Sequence, residues 1–200
     1  NALATSGLLV KHVGGESVKP YQPQGLWKEK SNFSIKLMNY KESSGDSLYR
    51  RSMYTFIRRT SPPPSMTTFD APTREVCTVK REITNTPLQA LVLLNDPQFF
   101  EASRILAERI QKEAPNSIDE SISLGFRICT SRKPKKKELE LLKELYFKQL
   151  DKFRKKPNLA YEIFRSGEKP RDRSLNRYKT AAMTMVANTL LNHDEVYMKR

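Results

Sequence analysis

Cysteine and histidine are scarce in this 200-residue chain: Cys77 and Cys129 are the two thiols, and His12 and His193 the two imidazoles. No second thiol or histidine stands at ligand spacing from either cysteine, so neither a zinc site nor a CxxCH haem attachment can be assembled. The same poverty leaves too few parts for a nucleophilic triad or a multi-histidine metal centre. We expect both cysteines to be small buried side chains, a single disulfide being the alternative in an exported protein. Long apolar runs are also missing. The longest candidate, 86–94, is far short of the roughly 18 residues a membrane span needs. Apolar residues make up only 38% of the chain, below the roughly 45–50% of an average globular composition. What the sequence has in excess is positive charge: 36 Lys and Arg against 22 Asp and Glu leave a formal net charge of +14. Length predicts one domain over 1–200. The chain opens at Asn1 without an initiator Met, a basic n-region or an apolar h-region, and so reads as a fragment of a larger protein with no signal peptide of its own.

Residues 2–10 are apolar and short, predicting the tail of a helix that Gly14 and Gly15 end. From 12 to 46 Pro20, Pro23, Gly25 and Gly45 break every helical period, and a loop of this length in a folded domain is functional or disordered. Its Tyr21, Leu26, Trp27, Phe33 and Leu37 argue that it packs. Tyr49, Met53, Phe56 and Ile57 fall on one helical stripe, predicting a helix over 47–59. The prolines at 62–64 stop it, opening a second long loop over 60–72. Residues 73–83 suit either a helix or a strand. Thr86-Pro87-Leu88-Gln89 predicts a helix start, with Thr86 as N-cap, Pro87 at N1 and Gln89 reaching back. The apolar 90–94 that follows is expected at the centre of the core. Helices are further predicted from Pro97 to about Glu113, from Ile118 to about Thr130, from the basic linker 132–137 to about Phe153, over 159–165, and over 174–191. The sum is an all-α fold of six to seven helices with long ordered loops in its first half.

Several strings are too long and irregular to be generic: SGLLVKHVGGESVKPYQPQGLW at 6–27, YRRSMYTF at 49–56, RTSPPPSMTTFDAPTREVC at 59–77 and TNTPLQALVLLNDP at 84–97, continued by TSRKP at 130–134 and LLNHDE at 190–195. Together they resemble planctomycete-specific domain one, a domain of unknown function, over nearly the whole chain. The resemblance implies the C-terminal part of a large exported bacterial protein, in the periplasm or cell envelope. The resemblance further implies that a second domain of unknown function and often a cytochrome c domain would precede it. Haem c would then belong to another domain, and this chain itself holds no cofactor. No catalytic residue carries over. Lys135, Lys136 and Lys137 depart from the Thr-Pro-Glu-Glu type of helix start in relatives, a lost N-cap that costs about 1 kcal/mol.

Polar residues crowd the segment 58–98. Among them Arg58, Arg59, Asp70, Arg74, Arg81, Glu82 and Asn85 are the candidate binding residues, able to line a pocket that takes a carboxylated or sulfated sugar through bidentate Arg contacts. Read structurally, Asp70 and Asp96 are caps, and Arg74 and Arg81 pair with acids to hold the proline-rich loop. Asp70 with Glu75 or Glu82 is the best pair for a paired-carboxylate hydrolase, although any chain of this length offers some acid pair. The basic runs at 132–137, 152–156 and 165–179 suit a solvated face or an anionic polymer, and without a nucleic-acid motif beside them nucleic acid is not expected. We therefore favour a non-catalytic module binding neighbouring domains or an anionic polysaccharide over an enzyme domain acting on polysaccharide, alone or coupled to a cytochrome c domain.

Overall fold

The computed structural model describes residues 1–29 and 39–198; Phe33 and Leu37, expected to pack, lie outside them. Ten α-helices and no strand occur among the described residues, and six of the helices are seven residues or longer. The all-α expectation holds. Two compact units divide the chain, one formed by Asn1–Leu8 with Leu93–Arg200 and the other by Leu9–Val92.

In the first unit, α1 (Ala2–Ser6) ends at Gly7, whose φ of 85° is the left-handed stop that glycine adopts cheaply. The expected stop at Gly14 and Gly15 is thus too late. Local chemistry starts the long helices. Asp96 caps α5 (Pro97–Glu113), its carboxylate accepting from the Gln98 amide at 2.9 Å. Ser117 caps α6 (Ile118–Thr130), its hydroxyl accepting from the Glu120 amide at 3.1 Å. Lys135, before α7 (Lys136–Lys155), has no side-chain acceptor to offer, but Glu138 supplies half a capping box by accepting from the Lys135 amide at 2.6 Å. Pro157 opens α8 (Pro157–Ile163), and Asn176 caps α9 (Arg177–Leu191) by accepting from two amides. A final turn, α10 (Asp194–Tyr197), was not expected from the sequence.

Helix α9 is the centre of this unit, packing on α5, α6, α7 and α8. Its small Ala181, Ala182 and Ala187, all fully buried, let neighbouring helices approach, while Met183, Val186, Leu190 and Leu191 fill the gaps. Ala102, Leu106 and Ile110 of α5 and Ile122 and Phe126 of α6 face this core. Gly125 permits the α5–α6 contact, because a Cβ there would stand 2.6 Å from Ile110 Cδ1. The N-terminus is tied in by Asn1 Nδ2 donating to the Val196 carbonyl and Arg109 Nη1 donating to the Thr5 carbonyl.

The second unit is mostly irregular, with short helices α2 (Leu26–Glu29) and α3 (Pro64–Thr68) and 3-10 turns at Gly45–Tyr49 and Ser52–Tyr54. The helix expected over 47–59 is absent. Parallel bridges pair Val10 with Arg50 and Val18 with Thr55, and the Val10, Val18 and Phe56 amides donate to the Tyr49, Tyr54 and Val18 carbonyls at 2.8–3.0 Å. These long-range bonds use the backbone groups a helix would need and split the apolar stripe, burying Tyr49 and exposing Met53. Residues 73–83 form neither helix nor strand, leaving Val76, Val79 and Ile83 exposed.

Helix α4 (Pro87–Asn95) begins at the expected capping box: Thr86 Oγ1 accepts from the Gln89 amide at 3.3 Å and Gln89 Oε1 from the Thr86 amide at 3.2 Å. It is not the core centre. Leu93 is 4% exposed, but Leu91 is 56% exposed, with Leu88 and Leu94 also toward solvent. An all-apolar run therefore presents one buried face rather than a buried circumference.

Candidate functional site

Of the seven candidates in the second unit, Asp70 and Arg81 come together, bonded to backbone and neighbouring side chains. Asp70 sits at φ 58° just past α3. Its carboxylate accepts from both the amide and the hydroxyl of Thr84 at 2.9 Å. These bonds hold its carboxyl below the usual carboxylate range, the Thr84 amide contributing most. Arg81 donates through Nε to the Asp70 carbonyl at 3.1 Å and through Nη2 to the Phe69 carbonyl at 3.0 Å. Buried Gln89 completes the knot, its Nε2 donating to the Thr68 carbonyl and to Thr84 Oγ1 at 2.9 Å. The carboxylate thus closes a loop from 70 to 84 through Thr84, not through Arg74 as the charges suggested.

Arg74, Glu82, Asn85 and Arg59 are exposed, and Arg74 has a positive φ of 63°. Arg58 belongs to a different cluster. It donates through Nε to Thr60 Oγ1 at 3.0 Å, and its guanidinium lies 5.5 Å from the ring centre of buried Trp27. Tyr40 meets that indole edge-on at 4.9 Å. Trp27 is thus packed, as expected, while Tyr21 and Leu26 are half-buried.

Arg50, absent from the candidates, organises the string around Gly14 and Gly15. It donates to the carbonyls of Glu16, His12 and Gly14, and stacks on Tyr54 at 3.7 Å, while the Tyr54 hydroxyl accepts from the Gly14 amide at 2.9 Å. Two of the irregular strings therefore meet here.

The first unit contains a charged cluster that sequence reasoning missed. Glu101, Arg104 and Glu108 share one side of α5 at spacings of three and four, and all are buried. Arg104 Nη1 donates to Glu108 Oε1 at 3.0 Å, and Nη2 donates to the Lys169 carbonyl. Glu101 Oε1 accepts from the Lys169 amide at 2.7 Å. The loop 166–172 is thereby strapped to α5, and a Lys112–Asp172 ion pair extends the strap. Burial pushes the Glu108 carboxyl above its ordinary range against the opposing pull of Arg104. The signal was available in the Glu-x-x-Arg-x-x-x-Glu spacing beside an apolar stripe, but such spacing equally describes a solvated helix face.

Two basic residues after this cluster lie over aromatic rings. Tyr161 on α8 lies beneath the Arg177 guanidinium at 4.1 Å, and Phe164 beneath that of Arg171 at 5.0 Å. Asp151, by contrast, is paired with Lys155 at 2.7 Å.

Both thiols are free. Cys77 is exposed, contrary to the expectation of two buried cysteines, because it lies in the unpacked 73–83 segment. Burial pushes the Cys129 thiol up to about 12, which disfavours its thiolate form. Among the described residues no three His, Cys, Asp or Glu side chains gather to hold a metal ion, and no helix is long and apolar enough to cross a membrane.

Compared with known sequences, the chain matches the family model described as PSD1, a protein of unknown function (DUF1553), over residues 1–146. No curated protein and no solved structure matches it.

Proposed function

The chain belongs to the PSD1 family of proteins of unknown function, and we propose that it acts as a non-catalytic helical module that binds an anionic polymer within a larger exported bacterial protein. The observation that carries this reading is the state of the candidate residues. Asp70, the acid common to the best hydrolytic pairs, is engaged by Thr84, and Arg81 by backbone carbonyls. Glu82 and Arg74 are out in solvent. A net charge of +14 then remains as the chemical property with the longest reach. The exported setting, beside a second domain and a cytochrome c domain, is supported by the strings at 6–27, 49–56, 59–77 and 84–97.

The test is a titration of the full chain with heparin, a polymer carrying sulfates and carboxylates, across a series of salt concentrations. Binding should weaken steeply as salt rises, since released counterions supply much of the free energy. Absence of binding at roughly 50 mM salt, where screening is modest, would remove the reading.

A further inference from the structure

We propose that the polyanion is gripped at one place, the Arg171 and Arg177 guanidiniums stacked on Phe164 and Tyr161, and that its chemical class is a sulfated or carboxylated polysaccharide. This inference rests on the reading above and gives it a location. Residues 151–179 hold ten basic and four acidic side chains. Two of the four acids are already taken, Asp151 by Lys155 and Asp172 by Lys112. No salt bridge to Arg171 or Arg177 occurs among the described residues, and each guanidinium lies over a ring instead of a carboxylate.

Three features make this a prepared surface. Tyr161 and Phe164 stand three residues apart, and Phe164 keeps right-handed helical backbone at the end of α8 (φ −81°, ψ −4°), so the two rings are neighbours on one face. A guanidinium held over a ring keeps its planar fork of N–H donors, the geometry that takes two oxygens of a carboxylate or sulfate. The segment carrying Arg171 is held from behind. Lys169 is bonded through its amide to buried Glu101 and through its carbonyl to buried Arg104, and Asp172 is fixed to Lys112. Little ordering entropy therefore remains to be lost on binding.

The same stacks argue against nucleic acid. Proteins that hold single strands offer open aromatic faces on which bases stack. Here Arg177 and Arg171 already cover a face of Tyr161 and of Phe164.

The experiment compares the full-chain wild type with R171A/R177A, with R171K/R177K, and with the charge-matched K11A/K80A, whose lysines are exposed in the other unit. Helical circular dichroism melting checks that each folds. Heparin affinity should fall about tenfold or more in R171A/R177A and remain well reduced in R171K/R177K, because lysine keeps the charge but loses the fork. K11A/K80A should bind nearly as wild type. Equal losses in R171A/R177A and K11A/K80A would leave polymer binding intact as a function and overturn its location here. Wild-type affinity in the lysine variant would overturn the role of the stacks. Duplex DNA bound as tightly as heparin at equal salt, and lost in R171A/R177A, would reassign the surface to nucleic acid. Heparin binding by none of the proteins, wild type included, would sink the underlying reading as well.

Discussion

Gly167 lies against the carboxyl of Glu101 so closely that a Cβ built on it would overlap Cδ, Oε1 and Cγ of that side chain, and its φ of 83° disfavours any other residue. Two independent costs therefore meet at one position. Gly167→Ala should lose about 2–4 kcal/mol, about 1–2 from the backbone and the rest from displacing a buried carboxylate. Gly14→Ala has the same kind of φ but open space around it, so it should cost only the backbone share. Urea midpoints of the two variants check this; equal losses would mean that the Glu101 contact carries no energy.

Leu91 and Leu93 are two residues apart on α4 and differ in exposure by an order of magnitude. Leu93→Ala should cost about 2–5 kcal/mol and Leu91→Ala within about 0.5 kcal/mol of nothing. Chemical denaturation of both variants decides it, and a large Leu91 effect would show that the exposed face of α4 is covered.

The bonds from Thr84 to Asp70 predict a sharp boundary in hydrogen exchange. The amides of Phe69, Asp70, Ala71 and Thr84 should be protected, since each donates within the knot or to the end of α3. Amides at 74–80 should exchange fast. Asp70→Ala should release the Thr84 amide selectively. Because the Asp70 carboxyl is held below its usual range, Thr84 protection is present above the ordinary carboxylate value. It is lost only as pH falls through the lowered one. Undiminished protection in Asp70→Ala would assign the loop closure to Arg81 and Gln89.

Glu138 accepts from Arg132 at 2.7 and 2.9 Å and from the Lys135 amide, which lowers its carboxyl to about 2. Its folded value lies below its unfolded one, so its contribution is complete above the ordinary carboxylate range and declines as pH falls toward about 2. Glu138→Gln should be less stable than wild type at pH 7, with the gap closing in acid. Glu108 has the opposite sign: its raised carboxyl weakens the fold above the folded value and relieves it below. Glu108→Gln should accordingly show a smaller penalty at pH 7 than breaking the pair from the Arg104 side, where removal of one buried partner costs about 3–5 kcal/mol. Melting of the variants at pH 7 and pH 3 reads both signs.

The sequence by itself determined where three of the helices start, because a cap is a contract between residues two or three apart, although it placed the start of α9 at 174 rather than at Arg177. Thr86 with Gln89, Asp96 with Gln98 and Ser117 with Glu120 each satisfy an amide locally, whatever the rest of the chain does. It determined the all-α class by the same route, through periodicity within single segments. Only the tertiary structure decided what those helices bury. Residues 47–59 carry a helical stripe, yet the Val10 and Val18 amides reach across from another part of the chain and draw them into bridges. The apolar 90–94 looked central and buries chiefly Leu93, while charged Arg104 is wholly buried where Glu101 and Glu108 oppose its charge and a carbonyl 65 positions away accepts from it. Burial is a property of pairs distant in sequence, and a local pattern of hydrophobic and charged residues does not encode which partner arrives.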